Sequence, residues 1–320
     1  MICLGEALVD RLGPPGGDPA VDRPVEDCLG GAPANVACGL ARLGTPVEFV
    51  GRLGSDAIGE AFQRVFDQRG IRQRAVQRDL KRPTRVVLVH RSLAGERQFQ
   101  GFAGDCGDGF ADQALAVSEL QKAWPALVDR AAWLLVGTIP LAVPTAAESL
   151  HWSLAEARRL GIAIALDVNW RPTFWDPDAD PGAGPPVTAV AAIRPVLEQA
   201  TLIKLAREEA LLLFAEDDPV VIHTELPLHP DVVVTDGAAP VRWCMAGQSG
   251  TLEVMSPSRL VDTTGAGDAF MAGLLHAWSQ PIAERIRFAA ACGALVCSGA
   301  GAIDPQPTQQ EVAAFLGAIS

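Results

Sequence analysis

The chain has 320 residues, 49% of them hydrophobic, and a formal net charge of −12. That length suits one large α/β domain, while the acidic balance argues against broad nucleic-acid binding and requires any anionic substrate to be held by a local arrangement. The apolar runs are short and broken by Gly, Pro or charge, far from the roughly 20 residues of a membrane span. Seven scattered cysteines without a Cys-x-x-Cys pair read as reduced thiols rather than a disulfide frame or a zinc site. The opening MICLGEALVDRLG has no basic region ahead of its apolar part, so it does not read as a secretory signal, and a cytoplasmic location is expected.

Met1–Asp10 reads as one buried strand ending on a carboxylate. Gly30–Gly44, GGAPANVACGLARLG, is a glycine loop leading into a helix of small residues, followed by a strand over Val47–Val50. Asp56–Arg69 places Ile58, Phe62, Val65 and Phe66 at helical spacing. Arg85–Arg91 and Glu96–Phe102 read as two strands of a hairpin joined by SLAG. Trp133–Thr138 is a buried strand, Thr145–Leu160 a helix, and Ile162–Asn169 the next strand. Pro177–Pro186 is a surface loop; a helix then runs to Gln199, followed by strand Thr201–Leu205 and helix Ala206–Phe214. Asp231–Gly237 is another buried strand, and the tail is helical over Ala266–Ser279, Ala283–Ser298 and Thr308–Gly317. Apolar strands alternating with helices predict βαβ units and a mostly parallel sheet covered on both faces. The hairpin and the segment Gly13–Cys28 break that rhythm and read as a small β lid.

In open α/β sheets ligands collect at the C-terminal ends of the strands. Polar residues fall at several such ends: Asp10, Asp167 and Asn169, and Thr235 to Gly237. The stretch DTTGAGDAFMAGLLHAW, Asp262 to Trp278, adds a glycine loop at the start of a helix. Its main-chain N–H groups and the helix dipole make a phosphate or oxyanion cradle at Gly265, Ala266 and Gly267. It is not a dinucleotide loop, because Phe270 stands where the third glycine belongs, and no Gly-Lys-Ser/Thr occurs anywhere in the chain. Asp268 follows the loop directly. A carboxylate there can accept a proton from an attacking hydroxyl while the cradle holds transferring charge; taken alone, it reads equally as a helix cap.

DTTGAGDAFMAGLL resembles the C-terminal signature of the PfkB (ribokinase-like) family of carbohydrate kinases, and GGAPANVACGLARLG resembles its N-terminal signature. Further landmarks fall in order between the two, so the resemblance spans essentially the whole chain. It implies a ribokinase-like three-layer α/β/α sandwich with a small β lid, built as one domain over residues 1–320, the lid formed by parts of about 11–30 and 84–104. It implies Asp268 as general base and Gly265, Ala266 and Gly267 as the anion hole. Asp10, Gly31 and Asn35 match sugar-contacting positions. LDVNWR resembles the Asp-x-Asn-x-Arg stretch of fructokinase-like members, so Asn169 is expected at the sugar and Arg171 at phosphate oxygens; the alternative for Arg171 is a surface salt bridge. Thr235 and Gly237 match the turn that holds nucleotide phosphates; the alternative is an ordinary exit from strand to turn.

The family often has Asn-x-x-Glu after the next strand; here Ala206 replaces the Asn and Glu209 matches the acid, expected to reach Mg²⁺ through water, with Glu208 as the adjacent alternative. Main-chain carbonyls of Asp262 and Thr264 are expected at a monovalent cation such as K⁺. Lys204 reads either as a nucleotide contact or as a snorkelled surface lysine. Arg97, on the lid, is expected at the sugar, and Phe99 chiefly in packing. The implied reaction is ATP-dependent phosphorylation of a sugar, with fructose ahead of 2-keto-3-deoxygluconate or another sugar or nucleoside, and ahead of a non-catalytic sugar-binding relative. A homodimer through the lid is a further implication, with no nucleic-acid or membrane partner.

Overall fold

The computed structural model describes residues 1–93 and 97–318. In chain order the strands are β1 (Ile2–Leu4), β2 (Leu8–Leu12), β3 (Glu26–Gly30), β4 (Glu48–Gly54), β5 (Arg72–Asp79), β6 (Val86–Arg91), β7 (Arg97–Ala103), β8 (Trp133–Val136), β9 (Ala163–Asp167), β10 (Leu202–Ala206), β11 (Asp231–Asp236), β12 (Ala239–Met245) and β13 (Gln248–Leu252). The helices are α1 (Ala32–Arg42), α2 (Ala57–Gln68), α3 (Val117–Val128), α4 (Pro144–Arg159), α5 (Pro172–Trp175), α6 (Val187–Leu197), α7 (Arg207–Phe214), α8 (Pro219–Glu225), α9 (Ala266–His276), α10 (Ile282–Val296) and α11 (Gln309–Ala318).

Among the described residues nine strands form the central sheet in the order β13-β12-β11-β10-β9-β8-β1-β4-β5. Seven of them, β11 through β5 in that order, run parallel, and β12 and β13 close one edge as an antiparallel hairpin. Successive side chains on a strand point to opposite faces, and the apolar runs of these strands therefore feed two cores. Leu134, Val136, Ile203, Val232 and Val234 enter the core on one face; Trp133, Leu135, Leu202 and Val233 enter the other. This is the three-layer α/β/α architecture expected from the sequence.

A second sheet of four strands, β3-β2-β6-β7, stands over the C-terminal ends of the first. Here the sequence reading needs correction. The run Met1–Asp10 is not one strand: Ile2–Leu4 lies in the central sheet and Leu8–Leu12 in the second. Gly5 makes the step, because a Cβ there would lie 2.5 Å from Pro33 Cγ, and its N–H still bonds Val50 O at 3.0 Å. The crossing carries Asp10 out of the central sheet and onto the roof of the cleft below. Of the hairpin link, Ala94, Gly95 and Glu96 lie outside the described residues.

Strand β5, of sequence RQRAVQRD, gives no apolar signal; it is an edge strand held by charge pairs, Arg74 with Glu48 (2.7 Å) and Arg52 with Asp79 (2.9 Å). The β12–β13 hairpin also lacked a signal and pairs through Trp243, whose ring covers Gly250. Helices α1, α9 and α10 are rich in small residues because they approach closely. A Cβ on Gly39 of α1 would sit 2.8 Å from Ala272 Cβ of α9, and one on Gly273 of α9 would sit 2.8 Å from Cys292 Sγ of α10. Among the described residues no helix is long and apolar enough to cross a membrane.

Candidate active site

The N-termini of α1 and α9, the C-terminal ends of β9, β10 and β11, and the inner face of the second sheet converge on one cleft of about 540 Å³. Asp10, Gly31, Asn35, Asn169, Arg171, Thr235, Glu209, Thr264, Gly265, Ala266, Gly267 and Asp268, scattered over the whole sequence, all line it.

The floor is the start of α9. Asp262 pins the loop in front of it: Oδ1 accepts from Thr264 N (3.0 Å) and Thr264 Oγ1 (2.7 Å), and Oδ2 accepts from Gly301 N (2.9 Å). Gly265 caps the helix at φ 79°, and a Cβ there would fall 2.5 Å from Ala302 Cβ, so only glycine fits. The helix thus points its amino end into the cleft, where a fixed partial positive charge favours an anion. Ala266 N already donates to Thr263 O at 3.2 Å; of the three amides expected to hold an anion, this one is engaged within the turn.

Asp268 sits one turn in. Asn35, on the first turn of α1, donates from Nδ2 to Asp268 Oδ2 at 2.8 Å and fixes the carboxylate's orientation. Burial and the charge of Asp167 push the Asp268 carboxyl up to about 6, against the pull of Asn35, Lys204 and Arg171. A carboxylate so tuned is a stronger base than an exposed one yet remains ionised at neutral pH.

Lys204 is not the snorkelled surface lysine that one reading allowed. It is buried, and its Nζ lies 2.8 Å and 3.0 Å from the two oxygens of Asp167, itself buried at the end of β9. Burial works against the ammonium, but the charges of Asp167 and Glu209 outweigh it and hold the Lys204 pKa above its usual value. Glu209 links the two strand exits: Oε1 accepts from Trp170 N (2.6 Å) and Oε2 from Ala206 N (2.8 Å). Burial raises its carboxyl as well.

Asn169 takes a left-handed backbone, φ 45°, which turns the chain after β9 toward the cleft. Arg171 is exposed at the rim, with Nη1 on Trp170 O at 2.8 Å. Thr235 Oγ1 donates to Leu205 O at 3.4 Å at the end of β11. Gly237 is exposed on the β11–β12 turn and is not among the residues lining the cleft. Arg97 opens β7, but its side chain lies outside what the structure describes. Phe99 lines the cleft and also packs edge-on against Phe102, ring centroids 5.1 Å apart.

Two features escaped the sequence. The Lys204–Asp167 pair had only one signal, a lysine inside an otherwise apolar strand. Glu6, 2% exposed, lines the cleft beside α1; its Oε1 accepts from Ala32 N at 3.2 Å, and its Oε2 is buried without a hydrogen-bond partner among the described residues. Burial lifts the Glu6 carboxyl to about 8. Nothing in GEALVD distinguishes this acid from a surface one.

Among the described residues no three His, Cys, Asp or Glu side chains converge as a metal cage. Single carboxylates such as Glu209, with both oxygens on main-chain N–H groups, suit a hydrated Mg²⁺ that takes most of its ligands from phosphate and water.

The model of the pfkB family of carbohydrate kinases matches residues 1–309. The chain is 31% identical to the fructokinase of Vibrio alginolyticus over 98% of its own length and 97% of the relative's. It superposes on the fructokinase of Xylella fastidiosa with bound ATP at TM-score 0.84, with 29% identity and coverage of 100% and 98% of the two chains. It superposes on the fructokinase of Vibrio cholerae in its fructose-, ADP- and calcium-bound form at TM-score 0.82, with 27% identity and 98% of each chain covered. With both glycine-led helix starts and the carboxylate between them meeting in one cleft, and the family match running nearly end to end, the chain belongs to the pfkB family of carbohydrate kinases.

Proposed function

We propose that this carbohydrate kinase transfers the terminal phosphoryl of ATP to fructose, giving fructose 6-phosphate, with Asp268 as general base. The observation that carries the reading is the geometry at the start of α9. There a carboxylate with a raised pKa, oriented by Asn35, stands directly behind a helix start whose residues Gly265, Ala266 and Gly267 line the cleft. Base and anion hole share one helical turn, so their relative placement is fixed before substrate arrives.

In this reading Asp268 takes the proton of the attacking hydroxyl. The amides of Gly265 and Gly267 hold charge on the moving phosphoryl, joined by Ala266 if its turn opens, and Arg171 adds a cation from the rim. Asp10, Gly31, Asn35, Arg97 and Asn169 hold the sugar, and Thr235 and Gly237 hold the nucleotide. Glu209 orients Mg²⁺ through water; bound Mg²⁺ neutralises phosphate charge. Carbonyls of Asp262 and Thr264 hold K⁺ beside the anion loop. Residues 1–320 act as one domain in which the second sheet serves as a lid that excludes water, a competing acceptor for the phosphoryl. The free strand edges of that lid suit pairing with a second copy, and the chain works in the cytoplasm.

Fructose is favoured by the fructokinase relatives, one of them bound to fructose and ADP. ADP release measured in parallel with fructose, ribose and 2-keto-3-deoxygluconate tests it. Fructose should lead in kcat/KM by at least about tenfold; an equal lead for either competitor rejects fructose while keeping the kinase.

A further inference from the structure

The chain has no lysine behind a glycine loop, yet it brings one beneath the anion hole from a neighbouring strand. We propose that Lys204 is a catalytic residue of this kinase, donating a hydrogen bond to the phosphoryl group as it passes from ATP to the sugar. The proposal deepens the reading of the cleft as a phosphoryl-transfer site and rests on it.

Four observations meet at this side chain. Lys204 is 6% exposed, and what it exposes opens on the cleft. Its ammonium lies against the anion loop: a Cβ on Gly267 would come 3.1 Å from Nζ and 3.6 Å from Cε, so the absence of a side chain at 267 leaves the ammonium uncovered. An ammonium carries three donors; Asp167 Oδ1 and Oδ2 take two, at 2.8 Å and 3.0 Å, and leave one without a partner among the described residues. Finally, the charges of Lys204 and Asp268 are close enough to shift one another, so the cation and the base flank the same small volume.

The pairing with Asp167 explains how the lysine does this work. An unpaired ammonium buried under a sheet loses its proton; a carboxylate beside it keeps it charged. The same carboxylate fixes Nζ in place, so the donor needs no reorganisation as negative charge spreads over the equatorial oxygens in the transition state. Asp167 also keeps Asp268 from being over-stabilised as an anion by the nearby lysine, since it raises the Asp268 carboxyl where Lys204 lowers it. The net charge of the pair is close to zero, so it can sit under a nucleotide site of an acidic protein at no great cost to the base.

Lys204→Met alone would strand Asp167 as a lone buried anion. The informative variant is therefore Lys204→Met with Asp167→Asn, which removes both charges. Three quantities are measured against wild type with fructose: the melting temperature, kcat and KM under alkaline conditions where Asp268 is ionised, and the affinity for ADP with aluminium fluoride, which mimics the transferring phosphoryl. We expect a folded double variant with sugar KM within about threefold of wild type, kcat lower by about 10²-fold or more, and loss of the tighter binding that aluminium fluoride confers on ADP. A double variant within about fivefold of wild-type kcat, or one that keeps the aluminium fluoride effect, makes Lys204 a structural partner of Asp167 and overturns the assignment. If the double variant does not fold, Lys204→Arg carries the test. It keeps the charge and the pairing but replaces a point donor under Gly267 with a wider planar fork. A kcat at least about tenfold lower at an unchanged melting temperature supports the assignment, and a wild-type kcat overturns it. A wild type that phosphorylates none of the three sugars overturns the kinase reading itself; a wild type that turns over beside an equally active double variant overturns only the role of Lys204.

Discussion

Asn35 and Asp268 stand 233 positions apart in the chain and 2.8 Å apart in space, joined by a hydrogen bond from the Asn35 amide to the Asp268 carboxylate. The bond ties the first turn of α1 to the first turn of α9, the two glycine-led helix starts that face the cleft. It favours the ionised form of Asp268 and so opposes the burial that raises its carboxyl.

Asp268→Asn keeps the shape and removes the proposed base. Turnover should fall by about 10²-fold to 10⁴-fold with little change in sugar KM. Thermal stability at neutral pH should hold or rise, because a partly buried carboxylate is replaced by a neutral group. Steady-state kinetics and a melting curve check both; a variant keeping more than a few per cent of wild-type turnover would show that Asp268 is not the base.

The pH profile carries the same assignment. With the Asp268 carboxyl at about 6, kcat/KM should fall tenfold per unit as pH drops below that value, since only the anion accepts a proton. Removing the Asn35 donor takes away a contact that stabilises the anion. The acid limb of Asn35→Ala should therefore move to higher pH. A limb that stays in place or moves down would separate this hydrogen bond from the base's titration.

Glu6 predicts a stability effect rather than a kinetic one. Its folded-state carboxyl, at about 8, lies above its ordinary 4.5, so the fold prefers it protonated. Its contribution is complete below about pH 4.5 and is lost as pH rises through about 8. Glu6→Gln, neutral at every pH, should melt close to wild type in acid and progressively above it in alkali. A melting-temperature difference that does not vary with pH would mean that Glu6 is already ionised in the fold.

Gly265→Ala tests the cap of α9. The left-handed backbone alone costs a side chain about 1–2 kcal/mol, and the contact with Ala302 adds to it. The melting temperature should fall by several degrees and kcat with it, while Gly161→Ala, also left-handed at φ 70° but with open space around it and away from the residues that line the cleft, should leave kcat nearly unchanged. Equal losses of kcat in the two variants would point to backbone strain alone and not to the geometry of the anion loop.

Chelation addresses the hydrated metal. EDTA should abolish turnover and Mg²⁺ restore it. Glu209→Gln should raise the Mg²⁺ concentration needed for half-maximal rate and also lower the melting temperature, because the same carboxylate holds the amides of Trp170 and Ala206. A variant that loses stability but keeps its Mg²⁺ requirement would confine Glu209 to the structural task.

What the amino-acid order settled was local. Apolar strands alternating with helices dictated a parallel sheet with two covered faces. GGAPAN and DTTGAGD dictated helix starts with exposed amides, because glycine conformation and helix capping depend on near neighbours along the chain. Asp268 was legible as a candidate for that reason: the carboxylate and the glycine loop share a single turn. The tertiary structure alone decided which groups from distant segments share a dielectric and a contact. It broke Met1–Asp10 between two sheets, because the obstruction at Gly5 comes from Pro33, a side chain on another element. It set Asn35 against Asp268, placed Lys204 between Asp167 and Gly267, and enclosed Glu6 so fully that its charge is suppressed. Burial and long-range proximity belong to the folded packing, and no periodicity in the sequence encodes them for a single polar residue.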